Sequence, residues 1–343
     1  MDRDKVLRVK YLYPGLDSVY IFDASGNNYR DWPKYFRIVY GVVLADIDNN
    51  GYIDIVAVSK DSIKAYFNNH GNITLGWCAE VPDNYEFTGL PAIGYIQLAV
   101  IPVLDVVMTA RKSYGTSSNL KILAYDCNGV LIHEWQSSEK QSGWTSGTPS
   151  IENVLSSGAD EVVISYGYPN RTEIFNAESA LPQKVFNYGA RRVTPALTDI
   201  NNDNHPDILA PDISNGILHA YDAYHDNPIW DTDPIQGYYN YSSPAVGNIS
   251  WRYPDEVEIT YICTKGSDAK LRLVDRLLGR DVEHWPLDID DQVWKSSPAL
   301  AFLQGHSDPY LDIIFGARDC VLYGVNSDQE PIYPFPLLLF GKP

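Results

Sequence analysis

An acidic residue opening a β-branched run recurs along this chain, at Asp54, Asp105, Glu161, Asp207, Glu256 and Asp312. The intervals are 51, 56, 46, 49 and 56 residues. Ahead of each acid lie a small-residue or proline start and a polar loop, as in GVVLADIDNNGYIDIVAV and SSPALAFLQGHSDPYLDIIFG. Behind each lie a third apolar run, a turn with Asp, Asn or Gly (AYFNNHGN, LAYDCNGV, HAYDAYHD), and a fourth run closing on a large aromatic. Those aromatics are Trp32, Trp77, Trp135, Phe186, Trp230 and Trp285, with Tyr333 or Phe335 in the last unit. Several short strands per period near 50 residues make one small sheet per unit, which buries its faces only by stacking on its neighbours. The expected fold is all-β, a seven-bladed β-propeller of four-stranded antiparallel blades. A large aromatic at one point of every unit suits the packing of one twisted sheet on the next.

The units fall at approximately 1–33, 41–77, 89–135, 147–186, 193–230, 242–285 and 296–337 of a single domain. The first is partial: KVLRVKYL, SVYIFD and NYRDW read as second, third and fourth strands without a first. The C-terminal PLLLFGKP is expected beside that partial unit, pairing as its missing strand or leading into a continuation, with 338–343 as tail. Helical periodicity is weak, and 22 prolines with 24 glycines interrupt the chain at short intervals.

Two of the polar loops carry more oxygen than a turn requires. DIDNNGYID offers Asp46, Asp48, Asn50, the carbonyl of Tyr52 and Asp54; DINNDNHPD offers Asp199, Asn201, Asp203, the carbonyl of His205 and Asp207. Crowded carboxylates repel one another unless a cation sits among them. Alternate positions of a tight loop converge on one hard ion, and calcium takes 6–8 oxygens at roughly 2.3–2.6 Å. Gly51 suits the turn, and Asn204 is the next most tolerant residue there. The twelfth positions are Ala57 and Ala210, where an EF-hand needs glutamate, so these are not EF-hands. Two bound calcium ions are expected, one per loop.

With these residues in view, the chain resembles the FG-GAP/VCBS repeat family, whose best-known members are the propellers of integrin α chains. SSPAVGNI, SSPALAFL and DIDNNGYIDIVAV look like that family's blade start, and the likeness extends over nearly the whole chain. The resemblance implies calcium in loops between first and second strands on one face, and a protein or glycan ligand on the other. At the same offsets the other units read Gln97, Ala99, Ile101; Asn153, Leu155, Ser157; Asn248, Ser250, Arg252; and Gln304, His306, Asp308. None supplies three carboxylates, and Arg252 is placed to substitute its own charge for an ion.

The formal net charge of −18 argues against nucleic acid and anionic membranes as partners, and fits cations or basic ligands. No stretch is long and apolar enough for membrane insertion, and MDRDKVLRV lacks the apolar centre of a signal peptide. The chain is either cytosolic or lacks a removed leader. Acceptor patterns for N-glycosylation at Asn72, Asn170, Asn240 and Asn248 are compatible with an extracellular or cell-surface home. Cys78, Cys127, Cys263 and Cys320 show no metal spacing and read as buried free thiols, with one or two bridges as the alternative.

No nucleophile, zinc-protease, phosphate-loop or dinucleotide motif occurs. The main functional reading is therefore a non-catalytic, monomeric recognition module for a protein or carbohydrate. Long loops opposite the acidic ones hold Trp144, Tyr168, Tyr238, Tyr239 and Trp294, a candidate platform for sugar rings or an extended peptide. Two alternatives stand beside it. One is a propeller enzyme, either a polysaccharide lyase or hydrolase or a quinone-dependent dehydrogenase, whose Asp…Gly…Trp blade pattern YDCNGVLIHEW echoes. The other is a structural spacer in a larger surface protein.

Overall fold

The computed structural model describes residues 5–10, 17–23, 25–36, 39–97, 103–112, 118–141, 147–167, 170–190, 192–252, 256–289, 296–303, 309–317, 321–332 and 335–338. Strands are the only regular elements among them; no helix occurs. They form seven antiparallel sheets, one per sequence repeat, whose strands follow one another along the chain. This is the architecture of a β-propeller.

In the second to seventh repeats the second strand is the most deeply buried. All six residues of Asp54–Ser59 and all five of Asp207–Pro211 are buried. Such strands read as continuous apolar runs because both faces are covered. Outer strands face water instead: in Asn72–Glu80 only Trp77 is buried.

Contacts divide the chain into two compact units. One comprises Met1–Glu152, Ser157–Ile164 and Glu173–Val185; the other comprises Asn153–Ser156, Ser165–Thr172 and Phe186–Pro343. Within the first, Ile55 and Ala57 turn toward Val19, Ile21 and Trp32 of the first sheet. Val56 and Val58 turn the other way, toward Phe87, Val106 and Met108 of the third. The period-two alternation of one strand thus builds two cores. Within the second unit, Leu209, Leu218 and Ala220 meet Ile259, Tyr261 and Cys263, while Ile262, Leu271 and Leu273 meet Ile313 and Phe315. Each Val, Leu, Ile, Phe or Met among them contributes about 1.5–3 kcal/mol by leaving water.

The closing aromatics join successive sheets by a repeated polar contact. The indole Nε1 of Trp77 donates to the Cys127 carbonyl at 2.9 Å, and that of Trp135 to the Asn176 carbonyl at 2.6 Å. Trp230 donates to Arg276 at 2.7 Å and Trp285 to Ser327 at 2.9 Å. Each acceptor lies in the hairpin between third and fourth strands of the next repeat. An Asp or Asn shapes that hairpin by accepting backbone N–H groups: Asp126 from Asn128 and Val130, Asp275 from Leu278 and Arg280. The glycines are required twice over. Gly129 and Gly279 have φ of +79° and +66°, and a Cβ there would lie 2.7 Å and 2.5 Å from the Trp77 and Trp230 rings.

The recurring acid also has a structural task. Asp54, Asp105, Asp207 and Asp312 accept the backbone N–H of Ile47, Ile96, Ile200 and Leu303, so each folds its loop back onto the strand it precedes. In the sixth repeat the acid is Glu258, not Glu256 as the spacing suggested. Glu258 is 1% exposed and accepts from Ile249 and Ser250, while Glu256 is half-buried ahead of the strand. Two acids stand close together there, and only the later one reaches the Ile249 N–H.

Other boundaries shift as well. The outer strand of the first sheet is Lys34–Phe36 rather than NYRDW, and that of the sixth is Leu287–Ile289. Trp32, Trp285 and Phe335 each precede a proline, which has no N–H for the ladder, so the outer strand begins after the aromatic. The C-terminal Leu337–Leu338 pairs with Val321 and Leu322 as the last strand of the seventh sheet. Among the described residues the first sheet has three strands, and Leu337–Leu338 is not one of them. Residues 339–343, Tyr333 and Cys320 lie outside the described residues. Of the three described cysteines, all free, only Cys263 is buried; Cys78 is exposed and Cys127 half-buried.

Two outcomes test this packing. Trp135→Phe keeps the ring but leaves the buried Asn176 carbonyl unpaired, and should lower unfolding free energy by about 1–3 kcal/mol in urea titrations. An unchanged midpoint would show that the indole N–H is idle. Burial, reinforced by the Glu256 charge and opposed by the Ile249 and Ser250 N–H groups, raises the Glu258 carboxyl from its ordinary 4.5 to about 7. Between those values the native state holds a proton that the unfolded chain has lost. Stability should therefore fall as pH rises from about 4.5 to about 7, by on the order of 3 kcal/mol, and level off above. In Glu258→Gln that part of the slope should vanish.

Candidate metal centre

The first acidic loop joins the strands Val39–Ala45 and Asp54–Ser59; the second joins Ala196–Thr198 and Asp207–Pro211. They wind alike. Asp46 accepts the N–H of Asn50 at 2.9 Å and of Gly51 at 2.8 Å. Asp199 accepts those of Asp203 at 3.2 Å and Asn204 at 2.9 Å. Asn50 takes the Tyr52 N–H, and Asp203 takes that of His205. Positive φ falls at Asn49 and Gly51 in one loop and at Asn202 and Asn204 in the other. The paired asparagines of DIDNNG and DINNDN encode this winding, because Asn tolerates the left-handed conformation.

In the first loop, oxygens of Asp46, Asp48 and Asp54 lie within 4.8 Å of one another. Asp54 is fully buried, and its two oxygens take the N–H groups of Ile47 and Asn68. Desolvation raises its pKa, and the nearby Asp48 charge adds to that. Asp48 and Asn50 are hydrogen-bonded to each other at 3.0 Å, and the Asn50 amide also reaches the Asn68 carbonyl. The three carboxylates form an all-oxygen donor set, which suits a hard divalent cation, while the Asn50 amide oxygen accepts the Tyr52 N–H. The acid at the ninth position recurs in loops without the other carboxylates. Asp46, Asp48 and Asn50 are therefore what distinguishes this loop.

The second loop gathers differently. Asp203 clusters with Asp222 and His225, which come from the hairpin after Leu218–Asp222. Sequence reasoning placed neither of them in the site. Asp207 is fully buried; its Oδ2 accepts from Ile200 and Asn201, and its Oδ1 has no hydrogen-bond partner among the described residues. Desolvation raises its carboxyl to about 7, opposed by those two N–H bonds and reinforced by Asp222 and Asp203.

Side chains at the seventh loop position exchange roles between the sites. Tyr52 hydroxyl and His70 Nδ1 lie 2.7 Å apart, and their rings are 4.4 Å apart. In the second loop His205 stacks on Tyr224 at 3.9 Å. A Tyr–His pair joins loop to hairpin in both, with the two residue types interchanged.

The remaining loops confirm the contrast. Ser157 donates to Glu161, and Arg252 pairs with Glu283 and lies 3.7 Å from Asp328. Of the candidate platform, Tyr239 is 50% exposed and pairs with Thr264, at the far end of its sheet's second strand from Glu258. Its ring stacks on Tyr241 at 6.1 Å. Tyr238 is partly buried, with the Lys265 and Lys270 ammonium groups 5.7 and 5.8 Å from its ring. Trp144, Tyr168 and Trp294 lie outside the described residues. His219 sits between Asp231, at 2.7 Å, and Asp212, at 3.5 Å, stacked on Tyr188 at 4.1 Å.

No family model matches the chain, and no curated protein matches it. Among solved structures, BamB from Moraxella catarrhalis superposes with a TM-score of 0.55 at 15% identity, covering 97% of this chain and 87% of that one. The quinohemoprotein alcohol dehydrogenase ADHIIG from Pseudomonas putida HK5 gives 0.58 at 11% identity, covering 95% and 64%. The exotype rhamnogalacturonan lyase YesX gives 0.51 at 15%, covering 95% and 65%. The chain thus spans just under two thirds of the dehydrogenase and the lyase. At these identities the likeness narrows the FG-GAP/VCBS resemblance to its coarser content, which is the β-propeller fold.

Proposed function

We propose that this protein is an extracellular, non-catalytic recognition propeller. Calcium holds the loop 46–54, a second divalent cation holds the loop 199–207, and a protein or carbohydrate binds at the opposite strand ends. The observation that carries the reading is the separation of two chemistries. Carboxylates gather where first strands pass into second strands. The exposed Tyr239, stacked on Tyr241 and preceded by Tyr238 with its two lysines, lies at the other end of its own sheet. Aromatic faces beside ammonium groups suit sugar rings and extended peptides alike. The cations stiffen the sheets and do not touch the partner.

A propeller enzyme is the second reading, and the likeness to a lyase and a dehydrogenase supports it at least as well. His219, held by two carboxylates and stacked on Tyr188, is then the acid–base group to examine first.

One set of variants separates these roles. Calcium at a hundredfold excess over its dissociation constant should stabilise the chelated protein by about 2.7 kcal/mol per site bound only in the folded state. Asp48→Ala should remove the share due to the first loop. Tyr239→Ala should weaken binding on glycan and peptide arrays while leaving the melting midpoint in place. Identical melting curves with calcium and with chelator would overturn the metal reading. Turnover of rhamnogalacturonan or of an alcohol with added quinone, abolished in His219→Ala, would select the enzyme.

A further inference from the structure

The two acidic loops look alike in sequence, yet the structure gives them different donor atoms. In the first, the clustered groups are Asp46, Asp48 and Asp54, all oxygen. In the second they are Asp203, Asp222 and His225, two carboxylates and an imidazole nitrogen mutually within 4.8 Å. We propose that the second cluster is a mixed nitrogen–oxygen site for a divalent transition ion of the zinc type, chemically distinct from the all-oxygen loop 46–54. This rests on the reading that the acidic loops hold cations, and it names the ion for one of them.

Hydrogen bonding alone does not account for the cluster. His225 Nδ1 lies 2.9 Å from Asp222 Oδ2 and 3.1 Å from Asp203 Oδ2. A ring nitrogen carries at most one proton, so it cannot serve both oxygens fully. The Asn201 amide nitrogen meets the same two oxygens, at 3.0 Å from Asp203 and 3.3 Å from Asp222. Two carboxylate oxygens and an imidazole nitrogen therefore face a common point. A tetrahedral ion with bonds of about 2.0–2.1 Å separates its ligands by roughly 3.3–3.4 Å. The His225 nitrogen and each carboxylate oxygen, now 2.9 and 3.1 Å apart, need to spread by only a few tenths of an ångström to receive it.

A second observation points to a cation at the same place. Ile208 pairs with Tyr221, so Asp207 and Asp222 stand opposite each other at the ends of adjacent strands. Like charges directly opposite are destabilising. Asp207 is fully buried, its Oδ1 lacks any hydrogen-bond partner among the described residues, and its charge is coupled to Asp203 and Asp222. A cation held by Asp203 and Asp222 offsets the repulsion that both exert on the buried Asp207. The hairpin supplies the selectivity. Asp222 is buried and accepts the His225 N–H through Oδ1, which fixes its Oδ2 toward the cluster. His225 is 50% exposed, so the ion has a route from solvent. Imidazole favours zinc-type ions, whereas calcium prefers oxygen throughout.

The test uses the full chain, stripped with chelator and equilibrated with zinc in excess calcium, and metal retained after gel filtration is counted by mass spectrometry. One zinc per chain is expected, and cobalt in its place should give the intense visible bands of a tetrahedral site. Asp222→Asn and His225→Ala should each cost at least the roughly 10–100-fold that losing an outer-shell partner costs. Asp48→Ala should retain zinc and lose calcium. Circular dichroism melts confirm that the variants are folded, and His225, being half exposed, is a safe site for substitution. Zinc absent from the wild type, or retained unchanged by folded His225→Ala, overturns the proposal. Calcium lost only with Asp48→Ala would then show that the reading of the first loop survives.

Discussion

A Trp N–H held by a carbonyl in the next repeat's hairpin is the contact on which the other features depend. A sheet of four short strands cannot bury two faces alone. It gains them from neighbours, and apolar faces by themselves allow sliding. The indole bond fixes how far one sheet is displaced along the next, because its acceptor must lie in one particular turn. That turn is shaped by an Asp or Asn and, at Gly129 and Gly279, by a residue with no Cβ to obstruct the ring. Where the aromatic is Phe186 the donor is absent, and the ring meets Tyr221 edge-on at 4.5 Å instead.

With the sheets so fixed, the acid at the start of the second strand fixes the loop in five repeats, at Asp54, Asp105, Asp207, Glu258 and Asp312. Its oxygens take backbone N–H groups from the first residues of the loop, and a buried apolar residue such as Ile47, Ile96, Ile200 or Ile249 sits beneath. Every repeat so built presents the same short arch. A metal loop then needs only a few substitutions on the arch and no change of frame. This explains how Arg252 in one repeat and three carboxylates in another occupy the same offsets.

Much of this was legible in the sequence because it repeats. Period, sheet number, closing aromatics and the Asp/Asn turns each recur often enough to outweigh local ambiguity. The failures lie where a repeat departs from its neighbours. Glu256 and Glu258 are both acids, and only the reach to the Ile249 N–H chooses between them. The outer strands after Trp32 and Trp285 start late because the next residue is proline, a local rule masked by the repeat. Of PLLLFGKP, Leu337 and Leu338 have a place beside Leu322 and Val321, and the residues after them lie outside the described residues. Asp222 and His225 escaped notice because they enter the site from the hairpin rather than the loop.

That last omission shows how the two loops part company. AYFNNHGN and AYDAYHDN align residue for residue, with Tyr66 on Tyr221 and His70 on His225. The strand of the first continues to Asn69, so its hairpin is tight; the strand of the second ends at Asp222, so its hairpin is wider. In the tight hairpin, His70 meets Tyr52 at the loop's seventh position. In the wide one, Tyr224 takes over that contact with His205, which releases His225 toward Asp203. Phe67 against Asp222 completes the difference, replacing an apolar side chain by a carboxylate at the strand end. Hairpin length, acting through an exchanged Tyr–His pair, thus sets whether a loop of nearly constant sequence presents oxygen alone or oxygen with nitrogen.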